Sequence, residues 1–292
     1  MSSVDFFLPL SIWPVNAGRS NRLSSNSAMT SEIEYNDAMT TMLELIWGVG
    51  FMAPGGEGNI ARLVEGLEIR DRRIIDIGCG IGGPAFVLAS KYGAYVVGTD
   101  IEPQLIEQAR LRAERLGIDS ICEFVAVDPG PMTFPDESFD VVLSTGVVMQ
   151  IENKREIFEE ALRVLKPGGI LTCYDWMKPE GEYSEDMHYW FKMERLTYSM
   201  KTLQEYEAML RDAGFIDIEL TDSSEWYRQR VQEEYEQIRS ELYPRMVELL
   251  GKQEADHFVE NWRSMKVVCE KGDVYQGYYR ARKPGGPNQH PV

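Results

Sequence analysis

The chain has 292 residues, of which 43% are hydrophobic and 26% charged, and its formal net charge is −17. This length suits one large α/β domain with an appended lobe, or two small domains. The acidic balance argues against a nucleic-acid partner, because phosphate neutralisation requires clustered lysine and arginine. No stretch approaches the roughly 18 uninterrupted apolar residues of a membrane-spanning helix, so no membrane partner is predicted either.

The first 30 residues are predicted to be a disordered tail. The segment FFLPLSIWPV is interrupted by two prolines and lacks a basic lead-in, unlike a secretory signal peptide. Met29 could instead begin a shorter protein. The four cysteines lack CxxC or CxH spacing, which is typical of reduced residues in a cytoplasmic protein and predicts no metal site.

Helix and strand patterns follow in chain order. A helix is predicted over 31–47 with Ser31 as its N-cap, then a glycine-rich connection and a second helix over about 58–67. Strands that alternate with helices and are almost continuously apolar predict a parallel sheet covered on both faces. These elements are RIIDIG (strand), GPAFVLASKY (helix), AYVVGTD (strand), EPQLIEQARLRAERLG (helix), ICEFVAVD and FDVVLS (strands), KREIFEEALRVLKPGG (helix) and ILTCYDW (strand).

The alternation stops after residue 176. The segment 177–201 is rich in aromatic residues and is interpreted as a lid over a substrate. The remaining predicted elements are a helix over 202–213, the strand FIDIEL, a long charged helix over about 224–250, a helix near 253–264, and a last strand around VYQGYYRARK.

The segment RIIDIGCGIGGPAF carries the most informative motif. A buried strand ends near Asp76, and Gly78, Gly80 and Gly82 lead into a helix whose free N–H groups can face a ligand. Loops of this kind also bind the pyrophosphate of NAD or FAD. Asp76 would repel a pyrophosphate, but it suits a cofactor with an amino-acid end through the ammonium group.

Two further aspartates lie at strand ends. Asp100, in GTDIEP, is positioned to accept hydrogen bonds from both ribose hydroxyls of an adenosine. Asp128, after the third strand, is a candidate acceptor for an adenine amino group. Its alternative interpretation is a solvated turn residue before Pro129.

In this order, DIGCGIGG, GTD, the strand end at Asp128, FDVVLS and LKPGG resemble the class I S-adenosylmethionine-dependent methyltransferases. The resemblance implies a doubly wound, Rossmann-like, seven-stranded and mostly parallel sheet with the last strand antiparallel. It also implies S-adenosyl-L-methionine as cofactor, with Ile101 and Ser144 among its contacts. The predicted units are the tail 1–30, an N-terminal lid helix with its connection 31–57, a cofactor-binding core 58–176, an aromatic substrate lid 177–201, the C-terminal part of the sheet with a helical cap 202–284, and the tail 285–292.

A closer likeness, from residue 32 onward, is to the phosphoethanolamine N-methyltransferases. It is carried by IWGVGFMAPGG, by LTYSM before TLQEY, by EWYRQRVQEEY, and by W-x-x-x-K followed by GYYRARK. In that family a tyrosine of the N-terminal lid pairs with a histidine, supported by an aspartate, after the fourth strand. Tyr35 matches the lid tyrosine, and Tyr198 matches a tyrosine that contacts the substrate phosphate.

The sequence departs from that family at three positions. Where the family has S-[R/K]-D-A-[I/L]-x-H-[I/L], this chain reads STGVVMQI, so Gly146 replaces the aspartate and Gln150 the histidine. Leu196 aligns with the phosphate-binding arginine, and Arg195 precedes it. Arg195 and Lys266 are candidate anion contacts, with solvated surface charges as the alternative.

Three hypotheses follow for an acceptor that is a small molecule. The first is N-methylation of phosphoethanolamine. This substrate is mainly an ammonium at neutral pH and must lose a proton before it attacks, so Tyr35, Gln150 and water would have to replace the family's histidine and aspartate. A thioether such as methionine needs no base, and Gln150 suits this second reaction. The third hypothesis is a non-catalytic S-adenosylmethionine-binding protein.

Trp176 and Tyr198 are predicted to contact the substrate, as part of a cage for a methylated onium group held by cation–π attraction. Packing of the lid against the sheet edge is the alternative. The protein is expected to be a monomer or a homodimer.

Overall fold

The computed structural model describes residues 37–196 and 198–285. The predicted tail 1–30 and Tyr35 lie outside these residues, as does most of the predicted tail 285–292. The strands are β1 (Arg73–Ile77), β2 (Tyr95–Asp100), β3 (Cys122–Ala126), β4 (Phe139–Thr145), β5 (Leu165–Met177), β6 (Ile216–Asp222) and β7 (Tyr275–Arg282). The helices are α1 (Asp37–Trp47), α2 (Gly56–Leu63), α3 (Gly83–Tyr92), α4 (Pro103–Leu116), α5 (Lys154–Val164), α6 (Glu185–Glu194), α7 (Leu203–Ala213), α8 (Ser224–Arg239), α9 (Tyr243–Leu250) and α10 (Lys252–Lys271), with one 3₁₀ turn at Val148–Gln150.

The strands form one seven-stranded sheet in the order β3-β2-β1-β4-β5-β7-β6. The strands β3, β2, β1, β4 and β5 are mutually parallel, and β7 is antiparallel to both of its neighbours. The predicted doubly wound sheet with an antiparallel last strand is confirmed. Since Ile77 is in register with Ser144, the carboxyl ends of β1 and β4 lie side by side.

Three hydrophobic clusters hold the molecule together. One packs α2, α3 and α4 on one face of the sheet, and another packs α5 and α7 on the opposite face. The third joins α1, α6, α8, α9 and α10 into a helical lobe that packs against Trp176 near the carboxyl end of β5. Burial of these apolar side chains is the main stabilising contribution to both the sheet and the lobe.

Two predicted helix boundaries were wrong. The helix predicted to include LKPGG ends at Val164, and those residues begin β5. Pro167 cannot donate a helical hydrogen bond, and Gly168 adopts a positive φ of 78°. The long helix predicted over 224–250 is two helices, because the chain breaks after Arg239 and α9 restarts with a proline in its first turn.

In the part of the chain that the structure describes, no helix is long and apolar enough to cross a bilayer. The four cysteines are all free and buried, in agreement with their interpretation as structural thiols.

Candidate functional site

A cavity of about 410 Å³ opens at the carboxyl ends of the parallel strands. This volume is within the range of about 300 to 1,000 Å³ that is common for small-molecule sites. One group of lining residues, the loop end, comprises Gly78, Gly80, Asp100, Ile101 and Asp128. A second group, the aromatic end, comprises Trp47, Trp176, Glu194, Leu196, Tyr198 and Trp262.

The glycines of the loop end are required by the fold itself. Gly78 and Gly82 have φ values of 72° and 95°, which side chains other than glycine rarely adopt. A Cβ on Gly78 would lie 2.3 Å from Cγ2 of Val147, and one on Gly82 would lie 2.6 Å from the ring of Phe86. Gly78 and Gly80 line the cavity, whereas Gly82 caps α3 and does not.

Asp100 is held rigidly at the end of β2. Its Oδ2 accepts the Gly80 N–H at 2.9 Å, and its Oδ1 accepts the Glu102 N–H at 3.0 Å. Each oxygen keeps further acceptor capacity, and the residue lines the cavity. Burial raises the pKa of Asp100 to about 6. The carboxylate can therefore receive ligand hydroxyls without rearranging, as a ribose contact requires.

Asp76 is fully buried beside this loop, and neither of its carboxyl oxygens has a hydrogen-bond partner within the described structure. Burial, and secondarily the charge of Asp100, raises the pKa of Asp76 to about 8. An unpaired buried carboxyl is costly unless a ligand supplies the missing donor. Asp76 does not itself line the cavity, although the next residue, Ile77, does. Its unpaired carboxyl can accept a hydrogen bond from the ammonium of a cofactor such as S-adenosylmethionine.

The other predicted cofactor residues divide into two sets. Ile101 and Asp128 line the cavity, Asp128 two residues beyond the end of β3. Ser144 does not line it, because its hydroxyl donates to the carbonyl of Ile77 at 3.0 Å and joins β4 to β1. The next residue, Thr145, contributes to the lining instead.

The stretch STGVVMQI forms the end of β4 and the 3₁₀ turn, and Gln150 lines the cavity. The Gln150 side-chain amide lies 3.4 Å from the carbonyl of Gly146. Gly146 has a φ of 72°, and a Cβ there would meet only Ala53 at 3.6 Å and two more distant side chains. These are ordinary van der Waals distances, and Gly146 presents no side chain to the cavity that could take a proton.

A buried carboxylate that the sequence analysis missed fixes this turn. Asp175 on β5 accepts the Met149 N–H at 3.2 Å, and it also accepts the hydroxyls of Tyr206 and Tyr279 at 3.3 and 2.7 Å. Burial raises its pKa to about 6 despite these donors. The available signal was a single charged residue inside an otherwise apolar strand.

The aromatic end is tightly packed. Trp176 and Tyr198 meet edge to face with ring centroids 5.6 Å apart, and Trp190 stacks on Tyr198 at 5.4 Å. The indole N–H groups of Trp47 and Trp262 both donate to Glu234, at 2.9 and 3.2 Å. The Glu234 carboxylate on α8 thereby joins helices α1 and α10 behind the two tryptophans that line the cavity.

Glu194, the last residue of α6, lines the aromatic end and was not predicted. Its carboxylate accepts from the Tyr198 hydroxyl at 3.4 Å and from the side-chain amide of Asn261. Burial raises the pKa of Glu194 to about 7. In the sequence it is one acid in a polar and aromatic segment, and nothing there marks it as buried.

Neither predicted anion contact reaches the cavity. Arg195 ends α6 with a φ of 58° and pairs with Glu254 at 3.5 Å, whereas Leu196 lines the cavity. Lys266 pairs with Glu270 at 2.8 Å along α10 and is absent from the lining. Among the described residues that line the cavity there is no lysine, arginine or histidine.

Comparison with known proteins shows similarity to methyltransferases. Residues 75–173 match the family model described as Methyltransferase domain, and residues 131–271 match the model described as Anamorsin, N-terminal. Phosphoethanolamine N-methyltransferase 1 of Arabidopsis thaliana is 29% identical over 256 residues, or 86% of this chain. The chain spans about half of that relative, 50% of its length.

A shorter relative aligns nearly end to end. Phosphoethanolamine N-methyltransferase of Plasmodium falciparum is 26% identical over 89% of this chain and 97% of its own. A structure of Haemonchus contortus phosphoethanolamine N-methyltransferase 2, in complex with phosphomonomethylethanolamine and S-adenosylhomocysteine, superposes with a TM-score of 0.79. Its identity is 26%, over 86% of this chain and 59% of that one. The sheet therefore has the Rossmann-like fold of the class I methyltransferases, and residues 75–173 match a methyltransferase domain.

Proposed function

We propose that the protein transfers a methyl group from S-adenosylmethionine to a small-molecule acceptor that carries no phosphate. The observation that carries this proposal is the single cavity lined by both the loop end and the aromatic end. A cofactor held by Asp76 and Asp100 would share that cavity with an acceptor beside Gln150. Such proximity and alignment account for much of the rate of a methyl transfer.

S-adenosylmethionine supplies a methyl group that its sulfonium already activates for displacement. The chain contributes orientation: Asp100 fixes the loop end, while Asp175 fixes the turn that carries Gln150. The Gln150 side-chain amide can donate to or accept from an acceptor, but it cannot take a proton at neutral pH. The packed aromatic rings exclude water from the reacting atoms.

The absence of phosphate in the proposed acceptor follows from the charges of the aromatic end. A phosphate monoester requires lysine, arginine or exposed N–H groups to replace its hydration. The described lining has no basic residue, and its charged member at this end is Glu194. Similarity to the phosphoethanolamine enzymes supports the scaffold and the reaction type, whereas this lining argues against their acceptor.

A thioether is the second candidate acceptor, and Gly146 and Gln150 favour it. A thioether sulfur attacks without losing a proton, so it requires no base at these two positions. A neutral amine would also react there, and it would release a proton to solvent after transfer. Tyr35, the other predicted catalytic residue, lies outside the described residues and stays a prediction. Non-catalytic cofactor binding, the third hypothesis, makes no use of the aromatic end.

The test is a mass-spectrometric screen with isotopically labelled S-adenosylmethionine between about pH 6 and 9. Ethanolamine and phosphoethanolamine form a matched pair that differs by one phosphate, and methionine represents the thioethers. We expect transfer to an acceptor without phosphate, and Asp100→Ala should abolish it. Efficient transfer to phosphoethanolamine alone would contradict the proposed acceptor class. Cofactor binding without transfer to any acceptor would support the non-catalytic hypothesis.

The variant Leu196→Arg sharpens the screen. It puts a guanidinium at the position where the similar family has its phosphate-binding arginine. If the missing charge excludes phosphate, this variant should improve the phosphoethanolamine affinity by roughly tenfold, the effect of one charge-assisted hydrogen bond. Leu196→Met, which changes the shape but not the charge, is the control.

A further inference from the structure

Within the described structure, Glu194 differs from Glu234 and Glu254, the other buried acids of the helical lobe, in having no basic partner. Glu234 pairs with Arg230 at 3.1 Å, and Glu254 pairs with Arg195 at 3.5 Å. For Glu194, the described contacts are neutral donors from Asn261 and Tyr198. Of these three carboxylates, Glu194 alone lines the cavity.

The surroundings of Glu194 match the requirements of an organic cation. The Tyr198 hydroxyl lies 3.4 Å from the Glu194 carboxylate, Trp176 meets the Tyr198 ring edge to face, and Trp176 and Trp262 line the same end of the cavity. Aromatic faces attract ammonium and other onium groups, more strongly when water is excluded. A carboxylate within the same dry wall adds a direct charge attraction.

The position of Glu194 relative to the turn at 148–150 suits recognition of an acceptor. The Trp176 backbone N–H lies 3.4 Å from the sulfur of Met149, and the Ser199 backbone N–H donates to the Met149 carbonyl at 2.9 Å. Glu194 is joined to this wall by the hydroxyl of Tyr198. A molecule whose nucleophile lies beside Gln150 can therefore extend a charged group toward Glu194.

We propose that Glu194, with Trp176 and Tyr198, forms a recognition site for a positively charged group of the acceptor. The acceptor class is then an amine or onium compound without phosphate. This inference rests on the proposed function and specifies its substrate. It assigns to the aromatic end a charge preference opposite to that of a phosphate site.

The experiment compares choline with its neutral isostere 3,3-dimethylbutan-1-ol, in which carbon replaces the quaternary nitrogen. Both are titrated calorimetrically at pH 8 into the full chain, with and without saturating S-adenosylhomocysteine. We expect choline to bind about tenfold more tightly than the isostere, as expected for a desolvated cation between aromatic rings and a carboxylate. Phosphocholine should bind more weakly than choline.

Variants then test whether Glu194 causes the preference for choline over the isostere. Glu194→Gln should reduce the ratio of the two affinities to roughly twofold or less, while Glu194→Asp, which keeps the charge, should retain part of the preference. Glu234→Gln is the control, because it removes another buried acid of the same lobe, one that does not line the cavity. That change can weaken both ligands, but it should leave their affinity ratio unchanged.

Equal binding of choline and the isostere to the wild-type chain would overturn the inference, whether or not any variant folds. Retention of the full preference by a folded Glu194→Gln variant would overturn it as well, and so would tighter binding of phosphocholine than of choline. Methyl transfer without cation preference would refute the inference alone. Cation preference without methyl transfer would refute the proposed function alone.

Discussion

The two ends of the cavity are built in opposite ways. The loop end uses backbone N–H groups and strand-end acids that lie within residues 78–128. The aromatic end uses side chains that come from residues as distant as Trp47 and Trp262. Asp76 lies beside the loop end and Glu194 within the aromatic end, and each is a buried carboxyl with a raised pKa and no basic partner within the described structure. In the two proposals made above, both acids pair with a cationic group, Asp76 with one on the cofactor and Glu194 with one on the acceptor.

Two glycines with the same φ allow the cost of a steric clash to be separated from the cost of a left-handed backbone. Gly78 and Gly146 both have a φ of 72°, but a Cβ would clash with Val147 only at Gly78. We expect Gly78→Ala to lower the free energy of unfolding by about 3 kcal/mol or more and to abolish cofactor binding. Gly146→Ala should cost about 1 kcal/mol, the strain of a left-handed backbone alone. Urea denaturation measures both, and equal losses would show that the contact with Val147 is unimportant.

The charge of Asp76 can be separated from its shape by Asp76→Asn. We expect the affinity for S-adenosylmethionine to fall by roughly tenfold to hundredfold, because an ammonium loses its counter-charge. The affinity for 5′-methylthioadenosine, which has no amino-acid end, should change little. An equal loss for both ligands would contradict a contact between Asp76 and the ammonium.

The same variant should have the opposite effect on stability without ligand. The pKa of Asp76 rises from 3.8 to about 8 on folding, so the folded chain retains a proton that the unfolded chain releases. Its contribution to stability is therefore present below about pH 4 and is lost as the pH rises to about 8. We expect Asp76→Asn to be more stable than wild type at pH 8, by on the order of 2 kcal/mol, and similar at pH 4. Thermal unfolding at both pH values checks this sign.

The smallest effect is expected from Lys266, which was predicted to contact an anion. Because its partner Glu270 lies on the same helix and is half exposed, Lys266→Ala should change the free energy of unfolding by less than about 0.5 kcal/mol. Turnover should stay within roughly twofold of wild type. Lys252→Ala, which removes the comparable pair with Asp256 on α10, is the control. A tenfold loss specific to Lys266 would assign it to the acceptor site.

The two ends also differ in what a sequence can predict. At the loop end, the strand, the glycines and the acids follow one another within the chain, so local pattern is sufficient for Asp76 and Asp100. At the aromatic end, which side chains face the cavity depends on where helix α6 ends. Arg195 has a left-handed backbone conformation, and its side chain pairs with Glu254. Its two neighbours, Glu194 and Leu196, line the cavity. No local pattern predicts that geometry, since it depends on the packing of α6 against α10.

The bond from Trp47 to Glu234 also has a consequence for synthesis of the chain. These residues are 187 positions apart, so the indole leaves the ribosome long before its acceptor exists. The sheet from β1 to β5 can form in that interval, because its strands lie within residues 73–177. Helix α1 can pack into the helical lobe only after α8 and α10 have been synthesised. The nascent protein can therefore form the loop end of the cavity early and completes the aromatic end last.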